Sequence, residues 1–452
     1  MKQIDIDDIL EDIEVLIEKR NTGALQNIII DLHPADIAQI LSHIKKDERS
    51  YLFSILPPKI ASDVLSELDP PIVEDLTEEL GVEKISKIVD QMDSDDAADF
   101  VSAIPEEMVP EILDRIPEED SNEIKELLHY EEDTAGGIMA LEYVALPMDA
   151  TVEQAIHEIR RLKAEQEITD IYSIYVVDDE NRLLGVVSLS DLALAEDFTQ
   201  LKEIMKTDIP KINPDMDQEE VANIFSKYDL VSMPVVDQEN HLIGRITIDD
   251  VVDVLEEEGS EDMAYIAGAP DEEITEDSIF KLARARLPWL LVAFMGELLA
   301  AFILNQFDVT LQQKLMIASF IPIIMAMGGS TAQQASVIVI RGLATGDLSL
   351  RDTGPRLLKE FRISLLNSLF FAIVLFLIVY LWDSAYFATI LAVSIFVVIN
   401  NAAIIGALVP LTFKRLKIDP ALAAAPFIST TNDILGILIY LTISTLLLSH
   451  GI

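Results

Sequence analysis

Five long apolar stretches follow Lys281, and no other feature of this 452-residue chain restricts its fold as strongly. They lie near 287–305, 315–340, 363–382, 386–412 and 421–448. Each is long enough to cross a hydrocarbon core of about 30 Å as a helix, the form that satisfies its own backbone donors and acceptors in lipid. The charges between them set orientation. Lys281, Arg284 and Arg286 precede the first span; Arg341, Arg351, Arg356, Lys359 and Arg362 fill the second loop; Lys414, Arg415 and Lys417 fill the fourth. Only Lys314 falls on the other side. The excess of basic residues places both loops and everything before Lys281 in the cytoplasm. An odd number of spans then leaves the C-terminus outside.

Polar groups inside spans are costly and are retained for a reason. Glu297 interrupts the first span, in WLLVAFMGELLAAF. The second contains GGSTAQQAS (328–336), whose small residues permit close helix packing or a broken helix. Asn400 and Asn401 sit in the fourth, and Ser429, Thr430, Thr431, Asn432 and Asp433 in the fifth. Asp433 is too deep to snorkel easily, so its carboxylate must face water, a cation or a partner; a cation path is the preferred reading. Glu297 reads equally as path lining or as a helix–helix contact. The Asn and Thr groups read as packing glue.

The formal net charge of −47 is distributed very unevenly. Residues 281–452 hold 12 Lys and Arg against 8 Asp and Glu, whereas residues 1–280 hold 20 against 71. A soluble half this acidic repels itself and is responsive to cations. It excludes nucleic acid as a partner, since phosphate neutralisation needs a basic face, and disfavours docking onto anionic lipid. With no cysteine and six scattered histidines, neither a disulfide nor a zinc site is expected. The N-terminal MKQIDIDDILEDIEVL is acidic and amphipathic, unlike a cleavable signal peptide.

Two repeats organise the acidic half. His33, Lys45, Pro57, Asp69, Gly81, Asp93, Pro105 and Pro117 recur every 12 residues between short amphipathic segments, which predicts a helical superhelix over 1–130. Its DDAAD run puts Asp95 and Asp99 on one helical face, where they read either as a solvated face that destabilises the helix slightly or as half of a divalent site completed from elsewhere. Further on, YSIYVVDDENRLLGVVSLSDL (172–192) matches VSMPVVDQENHLIGRITIDDV (231–251) at a period of 59, each copy reading strand, Asp-rich turn, strand, helix. This resembles a tandem CBS pair, placed at 131–256 with copies at about 138–197 and 204–256. In such pairs a TxxD element, here Thr247 to Asp250, can hold a nucleotide ribose; ATP or another adenine nucleotide and an empty pair both stay open.

A connecting helix and linker follow over 257–280, leading to a pore domain over 281–452. Asp253, Glu257 and Glu261 share one face at i, i+4 spacing. Gathering such carboxylates costs about 1 kcal/mol per 4 Å pair in water and about 4 at an effective dielectric of 20. Mg2+ relieves that repulsion through one or two carboxylates while keeping water in its shell; the alternative is a solvated acidic linker.

This order of parts, together with YEEDTAGGIM (130–139), PWL (288–290), GGSTAQQ and DPALAAAPFISTTND (419–433), resembles the MgtE-type bacterial magnesium channels and transporters over nearly the whole chain. The fold class expected is therefore a multidomain α-helical membrane protein: cytosolic superhelix, α/β CBS pair, connecting (plug) helix and five transmembrane helices. The resemblance implies a homodimer in the bacterial cytoplasmic membrane with the pore between subunits. It implies Mg2+ as both cargo and regulator, and Asp433 as the pore carboxylate. It also assigns Asp95, Asp99, Asp217, Glu219, Asp250, Asp253, Glu258, Glu261, Asp262 and Asp419 to Mg2+ sensing that closes the pore. Ser330, Ala332 and Ala425 stand where the family usually has Asn, Gly and Gly, which bears on pore width and on discrimination against Mn2+, Co2+ and Ni2+.

Other readings exist. A secondary transporter coupled to H+ or Na+ would titrate Asp433 or Glu297, but no internal inverted repeat is evident. An intramembrane aspartyl protease needs two deep aspartates, and only Asp433 qualifies, so no enzyme is expected. A CBS energy sensor with an inert anchor is disfavoured by the polar residues along the spans.

Overall fold

The computed structural model describes residues 6–165, 171–267, 279–422 and 424–450. The chain forms two compact units, Met1–Leu255 and Glu256–Ile452.

The first unit begins with short helices: Ile6–Glu18, Thr22–Ile29, Pro34–His43, Lys46–Ser54, Pro58–Leu65, Pro70–Leu80, Val82–Val89, Ser94–Ala103, Val109–Leu113 and Glu118–Leu127. Helices this short are not stable alone. Each buries an apolar face, mainly against the helix two places along the chain. Leu25, Leu41, Leu52, Phe53, Val64, Leu76 and Ile85 are wholly buried, and each such side chain contributes about 1.5–3 kcal/mol on leaving water. The 12-residue cadence marks the helix starts: His33, Lys45, Pro57, Asp69, Gly81, Asp93 and Pro117 are N-caps. Pro105 is the exception. An intervening turn moves the start to Met108, whose helix carries Pro110 in its first turn.

Two sheets follow. In the first, β1 (Ala145–Pro147) runs parallel to β2 (Ser173–Val177), which pairs antiparallel with β3 (Leu183–Ser188). The second pairs β4 (Ser232–Val236) antiparallel with β5 (Leu242–Thr247). The register slips once in each hairpin, at Val176/Val177 and at Val235/Val236, so the 59-residue repeat extends to its irregularities. The copies exchange turns. The Asn181 side chain donates to the Leu242 carbonyl and that of Asn240 to the Leu183 carbonyl, both at 2.9 Å. Both asparagines are left-handed, at φ 61° and 71°, a conformation Asn tolerates better than most residues. The superhelix core continues into the second copy through Ile212, Val221, Phe225 and Ile246.

The connecting helix, Ile248–Ala267, crosses the division between the units. Of the linker expected over 257–280, residues 268–278 lie outside the described residues. The spans are Ile279–Gln306, Met316–Ala344, Thr353–Trp382, Ala385–Arg415 and Ala424–His450. Several start earlier or end later than the apolar stretches, because a helix continues through the interface while hydropathy marks only the hydrocarbon. The fourth span is the most enclosed, 61% of its apolar window being buried, against 6% for the first.

Small residues set the tightest crossing. A Cβ on Gly406 of the fourth span would lie 2.2 Å from the Ala332 carbonyl of the second, a backbone atom that cannot swing away. Gly406→Val is therefore expected to lower the thermal midpoint in detergent by at least the equivalent of the about 1–3 kcal/mol typical of overpacking. Gly354→Ala, in open space, is the matched control and is expected to change nothing. Equal midpoints for the two variants would contradict this crossing. Ala332 itself is wholly buried in the contact, whereas Ser330, Gln333 and Gln334 are exposed on the second span. Ala425 lies outside the residues whose side chains are described.

Candidate functional site

Two intramembrane carboxyls come together. Asp433, half-buried in the fifth span, lies within hydrogen-bonding reach of Glu297 on the first. The helices approach one turn away, where Gly296 packs on Thr430 with no room for a Cβ. Asn432, 1% exposed, points its Nδ2 at Asp433 Oδ1 across 3.4 Å. Its Oδ1 is buried without a hydrogen-bond partner, against Gly328 of the second span. Among the described residues neither Glu297 nor Asp433 has a Lys or Arg partner; the ion pairs Lys314–Asp383 and Arg356–Glu360 involve other residues.

The other polar groups of the spans differ among themselves. Asn400 is satisfied: Ser364 Oγ donates to its Oδ1 at 2.9 Å, and its Nδ2 donates to Ser368 Oγ at 2.6 Å and the Phe396 carbonyl at 2.8 Å. It fastens the third span to the fourth. Asn401 Nδ2 and Ser336 Oγ are buried without partners.

A carboxylate cluster occupies the first unit. The N-terminus of the helix Ser94–Ala103 meets Glu142, which accepts from Ser94 N–H at 2.9 Å and from Ser94 Oγ at 2.8 Å. Burial, with Asp250, Asp96, Glu142 and Asp93 close by, pushes Asp95 well above the usual carboxylate range. Burial, then Asp93, Asp250 and Asp99, pushes Asp96 up to about 8. Burial and Asp249 raise Asp250 to about 6, against its bonds to Thr247. Glu142 is raised mainly by burial, and burial followed by Glu142 raises Glu123 to about 7. The helix N-terminus favours such negative charge but does not cancel the crowding.

A second cluster lies within the second unit. Burial raises Asp262 to about 6, with Asp419, Glu258 and Glu261 adding to it and Lys414 opposing. Asp419 accepts from the Ala421 and Leu422 N–H groups at 2.9 and 3.1 Å, tying down the loop before the fifth span. Tyr265 and Ile266, one turn on, pack against Ala332, Ile340, Ala402, Ala421 and Ile428. The C-terminal end of the connecting helix, at Tyr265 and Ile266, thus sits against the second, fourth and fifth spans beside its acidic cluster.

The sequence-predicted residues are distributed as follows. Asp95 joins Asp250, and Glu258, Glu261 and Asp262 join Asp419. Asp99 is exposed, and its field adds to that on Asp96. Asp217 caps its own helix by accepting from Glu219 N–H at 3.0 Å, and it is not among the charges that bear most on Asp95. Asp253 is exposed. Thr247, which is buried, donates to Asp250 at 2.8 Å, so the two residues singled out for a ribose hold each other. Sequence reasoning passed over Asp93, Asp96 and Glu142. The DSDDAAD run signals the first two, but nothing local signals Glu142, 48 residues from Ser94. Among the described residues no three acidic or imidazole groups converge tightly enough to hold a bare ion.

The membrane region, residues 321–443, matches the MgtE family, described as divalent cation transporters. Residues 32–133 match the MgtE intracellular N domain, and 135–197 and 201–257 match CBS domains. The magnesium transporter MgtE of Thermus thermophilus is 36% identical over 438 residues, 96% of this chain and 97% of that protein. Two solved structures resemble the acidic half, each with a TM-score of 0.52. One, the soluble part of a magnesium transporter, is 28% identical and covers 56% of this chain and 99% of its own. The other, the cytosolic domain of the Mg2+ channel MgtE in complex with ATP, is 35% identical and covers 54% and 99%.

Proposed function

The chain belongs to the MgtE family of divalent cation transporters, and from that premise we propose that it is a passive Mg2+ channel for uptake across the bacterial cytoplasmic membrane, closed by Mg2+ bound to its cytosolic carboxylates. The observation that carries this reading is Asp433, a carboxylate within a span, with no basic partner among the described residues, beside a second carboxylate and a buried amide whose oxygen has no hydrogen-bond partner. Such a group persists in a membrane where water or a cation reaches it. The pore lies between two copies of the chain. The exposed first span and the exposed polar face of Ser330, Gln333 and Gln334 support that arrangement. Hydrated Mg2+ passes Asp433; Mn2+, Co2+ and Ni2+ compete through size and hydration.

Regulation uses the two acidic clusters. Asp95, Asp99, Asp250 and Asp253, with Asp93, Asp96 and Glu142, form the sensor of the first unit, and Asp217 and Glu219 belong to it at its edge. Glu258, Glu261, Asp262 and Asp419 form that of the second, on the helix packed against the spans. Cytosolic Mg2+ neutralises both and holds the path shut; its loss leaves crowded carboxylates that repel. The parts are a superhelix to residue 130, a CBS pair over 131–256, a plug helix and linker over 257–280, and a pore domain whose C-terminus lies outside. ATP binding by the CBS pair is supported by the ATP complex of the 35% identical relative.

The test is Mg2+ flux in liposomes carrying the purified protein, with Mg2+ varied on the cytosolic face. Flux is expected to fall as that Mg2+ rises, and to stay high when Asp250, Asp253, Glu258, Glu261 and Asp262 are replaced together by their amides. Reversal away from the Mg2+ equilibrium potential, or a strict need for a proton or Na+ gradient, would instead establish a coupled transporter.

A further inference from the structure

Glu297 stands apart from the groups discussed so far. It is a carboxylate about two-thirds of the way along the first span, on the exposed side of that helix, and it lies within hydrogen-bonding reach of Asp433 on the fifth, the two helices being packed together at Gly296 and Thr430. A second carboxylate beside the first adds repulsion that grows as the effective dielectric falls: two unit charges 4 Å apart cost about 4 kcal/mol at a dielectric of 20. Nothing among the described residues offsets this with a positive side chain. The surroundings are built to hold the pair nonetheless. Gly296 has no side chain and Thr430 occupies its place, which brings the two spans together at this level. Asn432, 1% exposed, directs its amide at Asp433 and keeps an unpartnered oxygen beside it. A helix–helix contact alone would be served better by a neutral residue.

Resting on the reading that Asp433 lines the ion path, we propose that Glu297 is the second carboxylate of the same intramembrane site and sets its preference for divalent over monovalent cations. One carboxylate per chain favours Mg2+ over Na+ and K+ only in proportion to charge, about twofold in energy at equal distance. Two in contact repel each other, and a divalent ion relieves the repulsion with one particle where monovalent ions need two in the same small space. The cargo class this assigns is a doubly charged, oxygen-seeking cation that retains its water.

The experiment compares wild type, Glu297→Gln, Glu297→Asp and Asp433→Asn in liposomes, reading Mg2+ flux and the Mg2+-to-Na+ permeability ratio from reversal potentials. Glu297→Gln is expected to lower the ratio about tenfold or more, with Mg2+ flux reduced but not abolished. Glu297→Asp keeps the charge and is expected to retain most of the ratio. A ratio unchanged in Glu297→Gln overturns the proposal. So does an equal loss in Glu297→Asp, which would make side-chain length and packing, rather than charge, the property that matters. Normal Mg2+ flux in Asp433→Asn would remove the premise, an outcome distinct from either failure of Glu297.

Discussion

Asp433→Asn is expected to reduce Mg2+ flux about fiftyfold while leaving the protein folded. The magnitude follows from charge alone. A divalent ion about 4.5 Å from a carboxylate, across part of its water shell, gains about 7 kcal/mol at an effective dielectric of 20. If a third of that is felt at the barrier, its loss gives about fiftyfold, at about 1.4 kcal/mol per factor of ten. Asparagine keeps the size and the polar contact with Asn432, so expression and thermal midpoint should match wild type. The measurement is Mg2+ uptake by cells or liposomes, normalised to folded protein. Wild-type uptake by well-folded Asp433→Asn would place the ion path elsewhere.

The second large effect is in the acidic half. In EDTA, its resistance to protease and its thermal midpoint in the full-length protein are expected to fall as pH rises from 5 to 8. Asp95, Asp96, Asp250 and Glu123 all titrate higher in the folded state than a carboxyl in the unfolded chain, for which burial is the leading cause. The folded protein therefore binds more protons than the unfolded one above about pH 4, and stability declines with pH. The decline runs through the values near 6, 7 and 8 for Asp250, Glu123 and Asp96. Each 1 kcal/mol lost lowers the midpoint by about 2–4 °C in a domain of this size. Mg2+ should reverse the loss at pH 8 and do little at pH 5, where protons already neutralise the cluster. Asp96→Asn is expected to flatten the slope. A flat profile in EDTA, or Mg2+ protection equal at both pH values, would show that these carboxylates are not where the ion acts.

The parts that were legible in the sequence are the parts governed by short-range rules. Helix starts in the superhelix follow from turn residues at fixed spacing, and all but Pro105 act as N-caps. There, a glutamate pair extends the turn before the next helix begins. The CBS repeat was visible because strand, turn and strand recur with the same residues, down to the paired slips at Val176 and Val235. The spans were visible because lipid leaves few alternatives. What could not be read was convergence. Glu142 reaches Ser94 through tertiary packing, and Glu297 comes beside Asp433 from a span separated from it by three other spans in sequence. Periodicity placed Asp95 and Asp99 on one face, yet the deeper partner is Asp96, because burial is decided by the element packed on the helix and not by the helix alone. Asn400 illustrates the opposite case. Its neighbours Ser364 and Ser368 satisfy it completely, and no spacing rule distinguishes it from Asn432, which is left with an open acceptor.

The exchanged turns of the CBS pair have a consequence for descent. Each hairpin is closed within its own copy around Asp178 or Asp237, and Asn181 in addition holds the strand that begins at Leu242 while Asn240 holds the one that begins at Leu183. A substitution in one turn damages the other copy's strand. The two copies are thereby coupled at this point, whatever their differences elsewhere. Related chains should lose or keep the two asparagines together.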